Sequence, residues 1–408
     1  MLKKLYFIAL LSTPFLLLTH CTNDEMEYIE DTAQENYLQE ELEEASSRNR
    51  PIIPGKYIVV LKQDSTLIDR IEDIKEIAKG LANRNRFNRD SIKQVYGRVF
   101  QGFSIHLNPG QLRRLEKEQA IDYIIPDRAI TLAPPSGKGP KKDRGGEGDE
   151  GATPPPQSIP WGVSRVGGVG DGTGKTAWIV DSGVDLDHPD LNVDQTRGFS
   201  AFKGKERSPD DRNGHGTHVA GTIAALDNGL GVVGVAAGAT VVPVKVLDSK
   251  GSGSYSAVLA GVDHVARYGQ PGDVANLSLG GPGDATVDNA IITAAASSGV
   301  KFILAAGNEA VDVSNVTPAR ANGENVYTIS AMDSNNRFAY FSNYGAAVDY
   351  CAPGIDILST YYGGGYATLN GTSMAAPHAA GVLLLGAANT DGQVNNDPDG
   401  SADFIIVR

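Results

Sequence analysis

Six short apolar runs between residues 176 and 352 alternate with helical stretches, and this alternation limits the fold more than any other feature. The runs end at Val180, Val246, Ser278, Ala305, Ala331 and Ala352, and stretches such as His215–Leu226, Ser254–Tyr268 and Asp288–Ser298 fall between them. Strand and helix alternating at this spacing predict an α/β fold with a doubly wound, mostly parallel sheet. Ligands of such sheets bind beyond the carboxyl ends of the strands, so functional residues are sought just after each run.

A linker separates this region, residues 157–408, from what precedes it. Of the 23 residues in 134–156, twelve are Pro or Gly and eight are charged, which leaves almost nothing to enter a core. Residues 51–133 read as a small α+β domain. Lys56–Lys62 is strand-like, and Leu67, Ile71, Ile74, Ala78 and Leu81 line one face of a helix. Val99–Leu107 gives a second strand. Asn108-Pro109-Gly110 opens a short helix around Gln111–Gln119, and Tyr123–Leu132 is extended.

The first 21 residues carry Lys3 and Lys4, then the apolar run Leu5–Leu18, then Cys21. The run is short for a transmembrane helix and resembles a bacterial export signal ending at a lipoprotein cysteine, although His20 stands where a small residue is usual. Lipidation at Cys21, simple secretion and an uncleaved anchor all stay open. Each leads out of the cytoplasm, to the outer membrane or cell surface as a lipoprotein or to the medium. Residues 22–50 form an acidic stretch: 22–44 hold ten Asp or Glu and no Lys or Arg. It reads as a solvated tether, or as an address to the cell surface. A formal net charge of -13 excludes nucleic acid as the main partner. Two cysteines, Cys21 and Cys351, exclude a disulfide framework.

Three glycine-flanked motifs follow strand ends. Asp181 opens DSGVDLDHPDL, His215 begins a helix in NGHGTHVAGTIAAL, and Ser373 begins another in NGTSMAAPHAAGVLLL. Singly these are a turn residue, a structural histidine and a helix cap. Together, in the order Asp, His, Ser, they match one of the convergent arrangements of the serine triad.

On these motifs, and on VKVLDSKGSGSYSAVLAGV, NLSLGG, AAGNE and FSNYG, residues Gln157–Ala388 resemble the subtilisin superfamily of serine proteases, in its proteinase K-like branch. The unit Pro51–Leu132 resembles the inhibitory propeptide that precedes such domains. The resemblance implies an exported serine endopeptidase, monomeric, made as a precursor that its own propeptide inhibits, with proteins or peptides as substrates. Ser373 is then the nucleophile, His215 the base and Asp181 its orienting carboxylate, while Asn308 donates to the oxyanion together with backbone N–H groups at the helix start. Gly251, Gly253, Ser278, Leu279 and Gly280 match the edges that clamp an extended peptide. Tyr255 is expected to line a pocket for the residue four places before the scissile bond. Ala305, Ala306 and Gly307, with Glu309 at the rim, suggest a roomy primary pocket and broad, apolar specificity.

The resemblance also implies a structural calcium ion held by Gln157, Asp190, Leu226, Asn228, Leu230 and Val232, a set of side-chain and main-chain oxygens suited to a hard cation. Asp349 is a candidate for a second site, without clear partners near 322–326. His218, three residues after His215, lacks the adjacent Glu of zinc proteases and is read as structural. After the Ser373 helix the chain becomes turn-rich, and Phe404–Val407 is expected to add one edge strand. Self-cleavage is expected at Leu132–Ala133, since Pro134 makes the next bond poor. A catalytically silent surface protein and a calcium-dependent adhesion module are the rival readings.

Overall fold

A computed structural model describes residues 52–64, 70–132, 155–386, 388–401 and 403–408. The leader, Cys21, the acidic stretch, Leu67, Ala133 and nearly all of the linker lie outside those residues.

The first domain is an antiparallel sheet of β1 (Ile52–Leu61), β2 (Ile92–Tyr96), β3 (Gly102–His106) and β4 (Ile121–Thr131), in the order β4-β1-β3-β2. Helix α1 (Ile71–Arg84) buries Ile74, Ala78 and Leu81, and these share one core with Val59, Phe103 and Ile105. Helix α2 (Pro109–Leu115) opens with a reciprocal cap: Asn108 Oδ1 accepts the Gln111 N–H and Gln111 Oε1 accepts the Asn108 N–H, each at 2.9 Å. It ends short of Gln119. The sequence reading missed β2, because only Tyr96 of its five residues is buried and no period-two pattern marks it.

The larger domain contains β5 (Thr176–Asp181), α3 (His215–Ala224), β6 (Thr240–Lys245), β7 (Ser252–Ser254), α4 (Tyr255–Tyr268), β8 (Val274–Leu277), α5 (Ala285–Ser298), β9 (Lys301–Ala305), β10 (Val326–Met332) and β11 (Tyr350–Pro353). A hairpin, β12 (Ile357–Tyr361) and β13 (Gly365–Leu369), leads into α6 (Thr372–Leu385), followed by β14 (Asn389–Gln393) and β15 (Phe404–Val407). The main sheet runs β14-β15-β11-β10-β9-β8-β5-β6, all parallel except β14. The expected strand ends hold to within a residue or so.

Alternation along β5 feeds two cores, as a doubly covered sheet requires. Ala177 and Ile179 pack in the layer that holds α3 and α6. Trp178 and Val180 pack in the layer that holds α4 and α5. Helix α6 is buried along nearly its whole length, which explains its uniformly apolar sequence.

One expectation is corrected. Phe404–Val407 joins the sheet beside β11 but is not its edge, because β14 pairs with it antiparallel on the outside. The turn-rich sequence of β14 hid this strand, whose residues are all exposed. Ile405 and Ile406 are buried beneath it, so this strand closes that side of the core. Ile406→Ala should therefore cost about 2–5 kcal/mol of stability, read as a lower denaturant midpoint. An unchanged midpoint would mean that β15 does not belong to the packed sheet.

Candidate active site

Asp181 is the last residue of β5 and has no exposed surface. Its Oδ1 accepts the Ser182 N–H at 2.7 Å, and its two oxygens lie 2.9 and 3.0 Å from His215 Nδ1. His215 opens α3 behind Gly214, whose φ is 102°, and a Cβ at Gly214 would fall 2.2 Å from the Tyr361 ring. Only glycine fits this turn. Burial pulls the His215 pKa down, but the charge and hydrogen bond of Asp181, reinforced by Asp211, outweigh it and hold the pKa above its ordinary value.

The sequence reading missed Asp211. Its Oδ1 accepts the Ser182 hydroxyl and the N–H groups of Asn213 and Gly214, and its Oδ2 accepts the Thr217 N–H and hydroxyl. One buried carboxylate thus ties the end of β5 to the loop that carries His215. An Asp just ahead of Asn-Gly-His was the available signal, but an ordinary turn has the same appearance.

Ser373 lies in the first turn of α6. Its Oγ donates to the Ser278 carbonyl at 3.2 Å, and among the described residues it has no hydrogen bond to His215. Pro377, four residues on, has no N–H to give the Ser373 carbonyl. The Ser278 hydroxyl donates to that carbonyl instead at 2.8 Å and itself accepts from Asn276 Nδ2 at 2.8 Å. The helix start is thereby fastened to the end of β8. Asn308 is fixed from the same side: its Oδ1 accepts the Thr372 N–H and hydroxyl at 2.9 and 3.0 Å, which orients the amide nitrogen as the donor end. Asn308, Ser373, Ala305, Gly307 and Glu309 line one hollow, and Glu309 is held by Asn343 Nδ2 at 2.8 Å.

The chain's own tail fills the adjoining cleft. Ala129, Ile130 and Thr131 pair antiparallel with Ser254, Gly253 and Ser252, and the Leu132 N–H donates to the Gly251 carbonyl at 2.9 Å. Gly253 has to be glycine, since a Cβ there would lie 2.3 Å from the Val246 carbonyl. Leu279 and Tyr255 belong to the apolar cluster that takes in Ile130, while Gly280 lies with Leu132 along the hollow. It is Ile130, not Ala129, that enters the Tyr255 cluster. A cut after Leu132 would make Ala129 the fourth residue back, so the tail sits one residue away from the register expected.

Two carboxylates fasten the small domain to α4. Asp127 Oδ1 accepts the Ser256 N–H at 3.0 Å and its Oδ2 accepts the Ser256 hydroxyl at 2.6 Å. In the other direction, Asp263 Oδ1 accepts the N–H groups of Gly97, Arg98 and Val99 at 3.0, 2.7 and 3.1 Å.

The six calcium candidates converge. Gln157 Oε1 accepts the N–H groups of Asn228 and Gly229, Asn228 Nδ2 donates to Asp190 Oδ1, and Asp190 Oδ2 accepts the Val232 N–H. The Leu226 N–H donates to the Asp190 carbonyl, and Pro156 bridges to Leu230. Asp190 is fully buried, and among the described residues its carboxylate has only neutral donors and no Lys or Arg ion pair. Burial raises its pKa. A fully buried carboxylate without a cationic partner, beside the side-chain amides of Asn228 and Gln157, is chemistry that a hard metal ion would suit. No three His, Cys, Asp or Glu side chains cluster for a metal among the described residues, so such a site would depend on carbonyls and amides. Asp349 is taken up by the Thr328 N–H. His218 is buried, its Nε2 donates to the Ile357 and Ala367 carbonyls, and burial with the nearby His215 lowers its pKa to about 3.

Residues 172–394 match the subtilase family and residues 56–133 match peptidase inhibitor I9. An alkaline protease of Alkalihalobacillus alcalophilus is 41% identical over 288 residues, covering 69% of this chain and 68% of that protein. Subtilisin Savinase of Lederbergia lenta is 46% identical over 235 residues, covering 56% of this chain and 84% of that protein. The crystal structure of a cold adapted subtilisin-like serine proteinase superposes with a TM-score of 0.51 at 34% identity, covering 60% of this chain and 97% of that one.

The Asp181–His215 contact makes a prediction that needs no substrate. His215 should titrate above the usual histidine value of about 6.5, and Asp181→Asn should move it down, as read by NMR of the imidazole. An unmoved titration would show that Asp181 does not set the charge state of His215.

Proposed function

The chain belongs to the subtilase family and is a serine-type endopeptidase with an inhibitor I9 domain ahead of it, and on that premise we propose that Asp181, His215 and Ser373 are its catalytic triad. The observation that supports these roles most directly is the Asp181–His215 hydrogen bond beside a cleft that holds the chain's own tail next to Ser373. The Ser373 hydroxyl turns from the Ser278 carbonyl to His215 Nε2 and attacks the scissile carbonyl as His215 takes its proton. Asn308 Nδ2 and the N–H of Ser373 stabilise the oxyanion. His215 then protonates the leaving amine, and water releases the acyl group by the same steps in reverse order of roles. Asp181 holds the tautomer and stabilises the imidazolium through its contact with Nδ1.

Substrates bind as the tail does, as a strand added to Ser252–Ser254, with an apolar side chain in the Tyr255 cluster. Main-chain pairing of this kind favours broad specificity. For maturation we place the cut at Leu132–Ala133, because Pro134 disfavours its own bond. This asks the tail to advance one residue from the register described above, which withdraws Ile130 from its pocket and slows processing. Export, and lipidation at Cys21, are proposed from the leader sequence alone. Among the described residues no helix is long and apolar enough to cross a membrane.

Calcium at Gln157, Asp190, Asn228 and the carbonyls of Leu226, Leu230 and Val232 would supply the missing counter-charge and brace the loop, with no part in the chemistry. Chelation should lower the melting temperature, since an ion bound by the folded state alone stabilises it. An unaltered melt in a verified metal-free sample would remove this assignment.

Ser373→Ala, His215→Ala and Asp181→Asn should each reduce peptide hydrolysis by on the order of a thousandfold or more in folded protein. Pairs of them should cost little beyond one, because the three act as a unit. Ser373→Ala should also accumulate uncut precursor. Near-normal turnover in folded His215→Ala would refute the mechanism.

A further inference from the structure

We propose that the cleft carries a subsite for a cationic side chain, two residues upstream of the one that enters the Tyr255 pocket, and that Asp284 recognises it. The proposal rests on the protease reading and adds a preference to it. In this structure the occupant is the chain's own tail. Ile130 is buried in the Tyr255 cluster, and Arg128, two residues earlier on the same strand, faces the same side. Its Nε lies 3.8 Å from Asp284 Oδ2, with the two side chains only 15% and 11% exposed. Arg128 Nε and Nη1 are buried without a hydrogen-bond partner. Attraction to a carboxylate is therefore what offsets taking this cation out of water.

Asp284 is held for this role by contacts within the protease domain. It caps α5, its Oδ1 accepting the N–H groups of Thr286 and Val287 at 3.0 and 3.4 Å. Its own N–H donates to Thr317 Oγ1 at 2.7 Å. The second oxygen is left facing the cleft, and none of these bonds depends on the tail, so the carboxylate stays in place when the tail leaves. Asp288, one turn on, cannot substitute: it is engaged by Arg320 Nε at 2.6 Å and by the Thr317 hydroxyl at 2.7 Å. An apolar pocket with an acidic group two residues further out thus reads a pattern of cation, any residue, apolar residue.

The test uses the active enzyme and three peptides sharing Ala-Ile-Thr-Leu-Ala-Ser-Ser, preceded by Arg, Gln or Glu, in which a cut after the second alanine keeps isoleucine in the Tyr255 pocket and the variable residue two places upstream of it. The Arg peptide should exceed the Gln peptide in kcat/KM by about five- to tenfold at low salt, mostly through KM, with the Glu peptide below both. The advantage should shrink as salt is added. Asp284→Asn keeps a good helix cap while removing the charge, and the Arg-to-Gln ratio should fall to about one. Equal rates for Arg and Gln in the unaltered enzyme, or a preference that survives Asp284→Asn, would overturn the proposal. Failure to cut any of the three peptides would instead overturn the protease reading.

Discussion

The site depends on a carboxylate with no exposed surface. Asp181 sits where β5 ends, and it is stabilised there by the Ser182 N–H and the His215 imidazole. A buried carboxylate left alone would be costly, so the fold has to bring His215 to it. The rest of the local structure serves that meeting. Gly214 makes the turn into α3, Asp211 ties the turn to Ser182, and the Ser182 carbonyl accepts the buried Lys245 ammonium at 2.5 Å. Lys245 is in turn paired with Glu206 at 3.3 Å. The parallel sheet delivers Asp181, Lys245 and Ser278 at neighbouring strand ends, which is why chemistry collects there.

The same device, a carboxylate filling a group of unsatisfied donors, joins the two domains. Asp127 satisfies the start of α4 from the small domain, and Asp263 on α4 gathers three N–H groups of that domain in return. Between these anchors the tail is paired as a strand on Ser252–Ser254. On the reading proposed above, such an arrangement would inhibit by occupying hydrogen bonds that a substrate strand would use.

Much of this was legible in the sequence, for physical reasons that differ by element. The sheet was readable because strands buried on both faces become continuous apolar runs, as in TAWIV before Asp181. Asp181, His215 and Ser373 stood out as glycine-flanked motifs after strand ends and Asn308 through the resemblance of AAGNE, and the fold brings Asp181 to His215 and Asn308 to the start of the Ser373 helix. The exposed β14 and the half-buried β2 have no such signature and were missed. Asp211 and Asp284 look like turn and cap residues in the sequence, and they are. Their second function lies in the oxygen or the charge left over, which only the fold brings to His215 or to Arg128. The register of the tail was also out of reach, since it is set by whether Ile130 or Ala129 faces the Tyr255 cluster.

The central claim is that Ser373 is an activated nucleophile held in check by the chain's own tail. A fluorophosphonate probe, with the labelled residue mapped by mass spectrometry, measures both halves at once. Ser373 should be labelled rapidly in processed protein, and slowly or not at all in intact precursor. Equal labelling of the two forms would contradict the inhibition, and absence of labelling in processed, folded protein would contradict the nucleophile itself.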